Sequence, residues 1–307
     1  MKILIVGLGS IARKHIAALK SLKVESKIYA LRSNLNALIE EGVENIFDLE
    51  DERIVFDFAI ISNPTHLHYQ FIEGLAKKGI PLFIEKPAIH SLKNAEKLGD
   101  LIENKKVVTY VACNLRFHPC ISFLKNKMDS EALRINEVNV YCGSYLPDWR
   151  PGKDFRAIYS ANAAMGGGVH LDLFHELDYI HWLFGNPIKT HSVKGNKSSL
   201  NINAIDYANY VLEYENFTTS IILNYYRRDS KRTIEILFDD ETLTIDLIKN
   251  SIINNLGIVI FQSEGFNIID TYKNQMEYFI NNLKGNRKQM NNFANSIEVL
   301  KICLNNE

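Results

Sequence analysis

The stretch KILIVGLGSIARKHIAALK, residues 2–20, combines a short apolar run, a glycine-rich turn and an amphipathic segment. Residues 2–6 have the β-branched and apolar composition of a buried strand, and apolar residues at helical spacing follow the turn. In such a strand–turn–helix unit, Gly7 permits the tight turn and Gly9 lets the backbone approach a pyrophosphate. Ala12 is the small residue that brings the helix close to the strand. This stretch predicts a dinucleotide site.

The helix start and the end of the second strand predict which dinucleotide is bound. Free N–H groups at Ser10 and Ile11 would attract phosphates. About 20 positions after the last small residue, a ribose-binding acid is expected, but Arg32 and Ser33 follow the predicted strand 27–31 instead. An arginine there suits a 2′-phosphate, which favours NADP(H) over NAD(H). A solvated loop arginine is the alternative.

Two polar segments of the first half follow predicted strands. Residues 62–68, SNPTHLH, come after the strand 56–61, and residues 85–87, EKP, come after the strand 80–84. Alternation of strands and helices predicts a parallel sheet, which binds ligands at the carboxyl ends of its strands. The candidate cofactor contacts in these segments are Asn63, Pro64, His68, Glu85 and Lys86. For His15, His66 and His68, packing and loop hydrogen bonds are the structural alternative.

The segment GGGVHLDLFHELDYIHWLFG, residues 166–185, predicts a buried helix after a glycine hinge. Its polar residues follow helical spacing and share one arc, opposite an apolar arc; they are Asp172, His175, Glu176 and Tyr179. The segment lacks the second histidine of HExxH because position 179 is tyrosine, so no metal site is predicted.

The second half predicts a different fold class from the first. Strand patterns at 137–144, 208–214, 218–226, 233–237 and 243–247 indicate an antiparallel sheet, and amphipathic stretches at 272–283 and 293–304 predict closing helices. The overall prediction is α/β plus α+β: a Rossmann domain over residues 1–118 and a second domain, with an antiparallel sheet, over residues 119–307.

Composition excludes several classes of partner. The 307 residues carry a formal net charge of −1, which gives no electrostatic reason to expect nucleic acid or an acidic membrane surface. The four cysteines form no CxxC pair, as expected for reduced thiols. The apolar run at the start is short and broken by glycines, which disfavours a targeting segment, and no apolar stretch approaches ~20 residues. We therefore expect a cytoplasmic location without membrane contact.

Four motifs in order resemble the glucose–fructose oxidoreductase/inositol dehydrogenase/rhizopine-catabolism (Gfo/Idh/MocA) family over nearly the whole chain. GLGSIARKH, residues 7–15, matches the family's GxGxxxxxH opening; SNPTHLH matches its TPxxxH loop, and EKP is its signature tripeptide. The GGG…D…H…D segment matches its catalytic helix. The resemblance implies an N-terminal Rossmann domain that binds NAD(P). It also implies a second domain whose large open antiparallel sheet covers the nicotinamide and forms the interface of a homo-oligomer, a dimer or tetramer.

The resemblance also implies catalytic roles. Lys86 takes the position of the family's active-site lysine, and Asp172 and His175 take those of its helix acid and histidine. Many family members space that pair four residues apart, whereas here the spacing is three. An imidazole titrates near neutrality, so His175 is the predicted base. Asp172 is predicted to orient it, and Lys86 to stabilise the alkoxide.

Candidate substrate contacts lie between the EKP motif and the helix. They are Asn114, Arg116, Arg150, Arg156, Tyr159 and Tyr179. Arginines in the loop 145–160 would recognise a carboxylate or phosphate, although a solvated loop explains them equally.

The predicted activity is hydride transfer at a carbinol or keto carbon of a small-molecule sugar. The helix sequence DLFHELDYIHWLFG and the preceding loop sequence DWRPGKDFRAIYS resemble a branch of the family found with surface-polysaccharide and acidic-sugar biosynthesis. This resemblance implies an acidic or nucleotide-linked sugar. A cofactor-sensing regulator, or a lyase or hydrolase that borrows and returns the hydride, are the alternatives.

Overall fold

The computed structural model describes residues 1–37, 39–49, 54–285 and 289–305. The helices in these ranges are α1 (Ser10–Ser21), α2 (His68–Lys77), α3 (Ala95–Asn104), α4 (Pro119–Ser130), α5 (Val169–Asp172), α6 (Phe174–Phe184), α7 (Ile268–Lys284) and α8 (Phe293–Cys303). The strands are β1 (Lys2–Val6), β2 (Lys27–Leu31), β3 (Val43–Ile46), β4 (Phe58–Ile61), β5 (Leu82–Ile84), β6 (Thr109–Val111), β7 (Ile135–Tyr145), β8 (Lys189–Gly195), β9 (Tyr207–Glu213), β10 (Thr218–Asn224), β11 (Tyr226–Phe238), β12 (Thr242–Asp246), β13 (Ser251–Asn254) and β14 (Val259–Gln262).

The first sheet is parallel and has the order β3-β2-β1-β4-β5-β6 in the described ranges. The order reverses between β1 and β4, where Val6 pairs with Ile61. Ile61 in turn pairs with Ile84, so the turns after all three strands emerge at one edge. Ligands of open parallel sheets bind outside such an edge. The predicted Rossmann architecture is confirmed.

The central strands of this sheet are nearly continuous apolar runs because both faces of the sheet are covered. In β1, residues 3–6 are all buried, and the whole of β4 is buried and apolar. Helix α1 buries Ala12, Ile16 and Leu19, which recur at the spacing of one helical face. The apolar run thus provides the sheet core, and the amphipathic segment after it provides the cover.

The second sheet has the order β14-β13-β12-β11-β7-β10-β9-β8. Its pairs are antiparallel with one exception, because β7 and β10 run parallel. The expected large antiparallel sheet is confirmed in outline. The patterns missed β8, β13 and β14, and they could not indicate the parallel pair, which joins residues about 80 positions apart.

The chain divides into two compact units, Met1–Asn114 with Ile268–Ile297, and Leu115–Asn267 with Glu298–Glu307. The predicted division after residue 118 lies four positions beyond the first crossing. It did not include the return of the chain to the first unit, where α7 packs against α1.

No helix within the described ranges has the length and apolar character of a membrane span. Within the same ranges there is no group of three or more His, Cys, Asp or Glu side chains placed to hold a metal ion.

Candidate functional site

The first unit presents a backbone cradle after β1. Gly7 has a φ of +90°, a conformation that favours glycine. A Cβ atom at this position would lie 2.7 Å from Cβ of Asn63 and closer still to the Asn63 backbone. At Gly9, by contrast, an added Cβ would meet no atom within 4 Å. One glycine is therefore required by packing within the protein, and the other leaves open space beside the start of α1.

The start of α1 and the end of β4 complete this cradle. Helix α1 has Gly9 as its N-cap and no acidic residue in its first turn, so its free N–H groups carry uncompensated positive character. Ser62 donates its hydroxyl to the Gly7 carbonyl at 2.9 Å, which fixes the two turns to each other. The buried side-chain amide of Asn63 has no hydrogen-bond partner among the described residues. An open glycine, a helix start and an orphaned amide fit a dinucleotide phosphate group.

The EKP motif is joined to α1 by a hydrogen bond between side chains. His15, fully buried, donates from Nε2 to Oε1 of Glu85 at 2.6 Å. The other Glu85 oxygen accepts from the backbone N–H of Lys86 at 3.3 Å. Glu85 was predicted to contact the cofactor; its carboxylate is engaged with the protein. Lys86 follows β5 at the sheet edge and is partly exposed, as its predicted role requires.

His68 joins two loops at this edge of the sheet through hydrogen bonds of its ring. It is 1% exposed, and its ring nitrogens lie 2.9 Å from the Asn63 carbonyl and 3.1 Å from the Ala88 carbonyl. Burial lowers the pKa of His68, which keeps the ring neutral. This geometry supports the structural alternative for His68. Pro64, in the same loop, is exposed.

Arg32 and Ser33 follow β2 at the same edge of the sheet. The Arg32 backbone N–H donates to the Ile46 carbonyl at 2.8 Å, which extends the pairing of β2 with β3 by one residue. Glu40, the first acid after this turn, pairs with Arg13 of α1 at 2.9 Å. Selection of NADP(H) by Arg32 stays a prediction.

In the second unit, the segment predicted as one helix is two. Helix α5 ends at Asp172 and α6 begins at Phe174, with Leu173 at φ −94° and ψ 35° between them. The expectation of a continuous helix was wrong. The break falls within the three-residue interval between Asp172 and His175, where the family's usual spacing is one residue longer.

The shared polar arc does not persist either. Asp172 and His175 are partly exposed, whereas Glu176 and Tyr179 are fully buried. Glu176 accepts from Nε of Arg232, on β11, at 2.6 Å. Burial raises the pKa of Tyr179 well above its ordinary value. The predicted contact of Tyr179 with substrate is not supported by this position, which is that of a core residue.

Arg116 and Asn114 also occupy buried positions. Arg116 donates from Nε and Nη2 to both oxygens of Asp178, at 2.8 and 2.7 Å, and its guanidinium lies over the ring of Trp182. Asn114, in the first unit, donates its amide to Thr271 Oγ1 at 2.6 Å. Both side chains are thus engaged with other residues of the protein, and their contact with substrate stays a prediction.

The glycine hinge is shaped by the turn before it. The Tyr159 hydroxyl donates to the Gly166 carbonyl at 2.7 Å. A Cβ at Gly167 would lie 2.9 Å from the Asn162 carbonyl oxygen and closer still to that of Tyr159. Tyr159 therefore braces the glycines that lead into α5. Arg150 and Arg156 are exposed, and the Arg156 guanidinium lies 4.4 Å from the Phe155 ring centroid.

One residue beside the catalytic candidates was not predicted. Tyr225, between β10 and β11, donates its hydroxyl to Oδ2 of Asp172 at 2.6 Å. In the sequence it is one of two adjacent tyrosines at the end of a predicted strand, and no spacing rule separates it from core aromatics. Only the tertiary fold, which joins positions 53 apart, identifies it.

Comparison with known proteins places these features in a family. Residues 1–113 match the family described as "Oxidoreductase family, NAD-binding Rossmann fold", and residues 125–244 match the "GFO/IDH/MocA C-terminal domain". Together these matches cover most of the chain.

Individual relatives are more distant. The rhizopine catabolism protein MocA of Rhizobium meliloti is 28% identical over 64% of this chain and 61% of its own length. The scyllo-inositol 2-dehydrogenase (NAD(+)) of Bacillus subtilis is 26% identical over 64% of this chain and 57% of its own length. The chain thus matches about three fifths of the length of these relatives.

Solved structures share the fold over nearly the whole chain. A levoglucosan dehydrogenase in complex with NADH and levoglucosan aligns with a TM-score of 0.84 at 16% identity, covering 99% of this chain and 95% of that one. The UDP-N-acetylglucosamine 3-dehydrogenase of Acidithiobacillus ferrooxidans aligns with a TM-score of 0.78 at 17% identity, with the same coverage. With its Rossmann unit and its sheet unit matched in order, the chain belongs to the Gfo/Idh/MocA oxidoreductase family.

Proposed function

We propose that the protein is an NAD(P)-dependent oxidoreductase acting on a carbinol or keto carbon of a sugar or sugar derivative. The observation that carries the proposal concerns the polar residues of α5 and α6. Glu176 and Asp178 are buried and each is paired with an arginine, whereas Asp172 and His175 keep partial exposure. Among the acids and the histidine between residues 172 and 178, the two at the family's catalytic positions are the two that remain partly exposed.

Each candidate has a chemical task. A bound nicotinamide would supply or accept the hydride at the carbinol carbon. His175 takes the hydroxyl proton on a ring nitrogen as the carbinol becomes a carbonyl, and Asp172 orients that ring or a neighbouring hydroxyl. Lys86 stabilises the negative charge that develops on the oxygen. The Gly7–Asn63 cradle and the start of α1 hold the phosphates.

The substrate and assembly are proposed at a coarser level. Exposed Arg150 and Arg156 support an anionic substrate, such as an acidic or nucleotide-linked sugar. The second unit's sheet is the proposed interface of a homo-oligomer, which light scattering would test. For the cofactor, we propose a preference for NADP(H) on the basis of Arg32.

The test is a turnover screen with both nicotinamide cofactors. The compounds are scyllo-inositol, levoglucosan, glucose 6-phosphate and UDP-N-acetylglucosamine, of which the last two carry phosphate. The proposal expects a change in nicotinamide absorbance with at least one of these compounds. Tight cofactor binding without any turnover would support a regulator, and product without net absorbance change would support a borrowed hydride.

A further inference from the structure

Tyr225 is held rigidly against Asp172. The tyrosine is fully buried, and its hydroxyl donates to Asp172 Oδ2 at 2.6 Å. Its backbone N–H donates to the Asp206 carbonyl at 3.0 Å, and its carbonyl accepts from the Leu146 N–H at 2.8 Å. The Trp149 ring packs edge-on against it at 5.3 Å. Because the backbone and the ring are both anchored, the hydroxyl has a defined position.

The surroundings of Tyr225 keep its hydroxyl a donor. Burial is the main reason that its pKa lies well above the ordinary value, and the nearby Asp172 carboxylate raises it further. Tyr159 is the other titratable group close to it. The phenol therefore stays protonated at neutral pH and can serve the carboxylate as a hydrogen-bond donor, but it cannot serve as a base.

Asp172 has a particular need for such a donor. It is the last residue of the four-residue helix α5, and the chain leaves helical geometry at Leu173 before His175. A continuous helix would hold the acid and the histidine at a fixed spacing through its backbone hydrogen bonds. Here the backbone does not provide that continuity, so the orientation of the carboxylate must come from tertiary contacts.

We infer that Tyr225 is a positioning residue that fixes the Asp172 carboxylate for the reaction, in place of a continuous helix. The inference rests on the proposed function of Asp172. It assigns to the end of β10 a role that the motifs of the chain do not indicate. Because the hydrogen bond restricts rotation of the carboxylate, its loss should act on turnover more than on binding.

The test compares two buried tyrosines of the second unit. Tyr210 on β9 is also fully buried and donates its hydroxyl to the Cys303 carbonyl at 2.8 Å, so Tyr210→Phe is the matched control. With a substrate from the screen, Tyr225→Phe should lower kcat by about 10-fold or more and leave KM and the cofactor Kd within about 2-fold. The control should change kcat by less than about 2-fold. Equal effects of the two substitutions on kcat would overturn the inference.

A double-mutant cycle separates positioning from packing. In the Asp172→Ala background, Tyr225→Phe should cost less than about 2-fold in kcat, because the group that it positions is gone. A cost as large as in the wild type would show that Tyr225 acts through general packing and would also overturn the inference.

A crystallographic comparison decides the inference without any turnover. The wild type should show the contact of the Tyr225 hydroxyl with Asp172, and Tyr225→Phe should show the carboxylate rotated or disordered. A carboxylate in an unchanged position in the variant would refute the positioning role. If the wild type turned over no compound, the proposed function would fail, while this structural comparison would still give its own result.

Discussion

The imidazole of His15 donates a 2.6 Å hydrogen bond to the carboxylate of Glu85, which links the dinucleotide-binding helix to the end of β5. Both groups are largely removed from water, so neither can exchange its partner for solvent at low cost. Glu85→Ala should lower the free energy of unfolding by about 1–3 kcal/mol. Glu85→Gln, whose amide oxygen can still accept, should cost less. Denaturant titration of both variants makes the comparison, and an equal loss would contradict a role for the acceptor.

Gly7 and Gly9 should respond differently to a side chain. Gly7→Ala places a Cβ against Asn63 at a positive φ, so we expect a loss of more than about 1 kcal/mol of stability. Gly9→Val meets open space and should leave the melting temperature within a few degrees. Its side chain would occupy the space of the pyrophosphate, and nicotinamide binding measured by fluorescence should disappear. Unchanged affinity in a folded Gly9→Val variant would remove the dinucleotide assignment.

Arg32 and Lys27 lie at opposite ends of β2 and form a matched pair for cofactor selection. Only NADP(H) carries the 2′-phosphate, so Arg32→Ala should weaken NADPH binding by about 10-fold or more and NADH binding much less. Lys27→Ala, which breaks an exposed pair with Glu44, should change neither affinity by more than about 2-fold. Equal weakening of both cofactors by Arg32→Ala would identify the arginine as an ordinary surface residue.

His118 should make stability depend on pH. Its Nδ1 accepts from the Cys120 N–H as the N-cap of α4, and its Nε2 donates toward Asn250 Oδ1 at 3.1 Å. Burial lowers its pKa to about 4, below the unfolded value of 6.5, so the unfolded state binds the extra proton first. The contribution of neutral His118 to the free energy of unfolding is therefore fully present above pH 6.5. It decreases as the pH falls from 6.5 toward 4.

The expected loss through His118 is about 2 kcal/mol between pH 7 and pH 5. His118→Asn keeps a side chain that caps helices well but does not titrate. Its unfolding free energy should depend less on pH than that of the wild type. His170, whose pKa burial lowers to about 3, acts in the same direction and is common to both proteins. Parallel pH profiles for the two would contradict this contribution.

Local patterns sufficed for the features that depend on neighbouring residues. The strand, glycine turn and helix start at residues 2–20 follow from composition and spacing, and the EKP tripeptide follows a strand as expected. The helix break at Leu173 was not foreseen, because the apolar periodicity continues through it without a proline or glycine. The periodicity of apolar residues indicates which face of a helix is buried, but it does not predict the backbone dihedral angles of a single residue such as Leu173.

Partners of buried charges were beyond sequence reasoning for a different reason. Arg116 and Asp178 are 62 positions apart, and Glu176 and Arg232 are 56 apart. Each of these charged residues, considered alone, is typical of an exposed helix face or loop. For this reason Arg116 was expected to contact substrate. The fold buries these charges only because the opposite charge arrives from a distant strand or turn. The packing of α7 against α1, within the first unit, likewise joins residues that are far apart in the sequence.

Lys86 and His175 carry the chemical prediction. If His175 accepts the carbinol proton and Lys86 stabilises the developing alkoxide, both serve the same step. Lys86→Ala and His175→Ala should each lower kcat by about 10²–10⁴-fold. The double variant should lose much less than the product of the two effects, because groups that act as a unit are not additive. Cofactor binding should survive in both variants, because neither His175 nor Lys86, which is a candidate cofactor contact, is assigned to the phosphates.

Controls for this pair come from the same elements of the chain. His181 lies on α6, as His175 does, and contacts Asn186 at 2.8 Å, so His181→Ala should change kcat by less than about 2-fold. Lys93, exposed after the EKP loop, provides the corresponding lysine control. Steady-state kinetics and nicotinamide titration of all five variants make the measurement. Near-normal turnover in His175→Ala would assign the proton transfer to another group, and Lys86 would be the next candidate because it is a partly exposed titratable group at the family's active-site position.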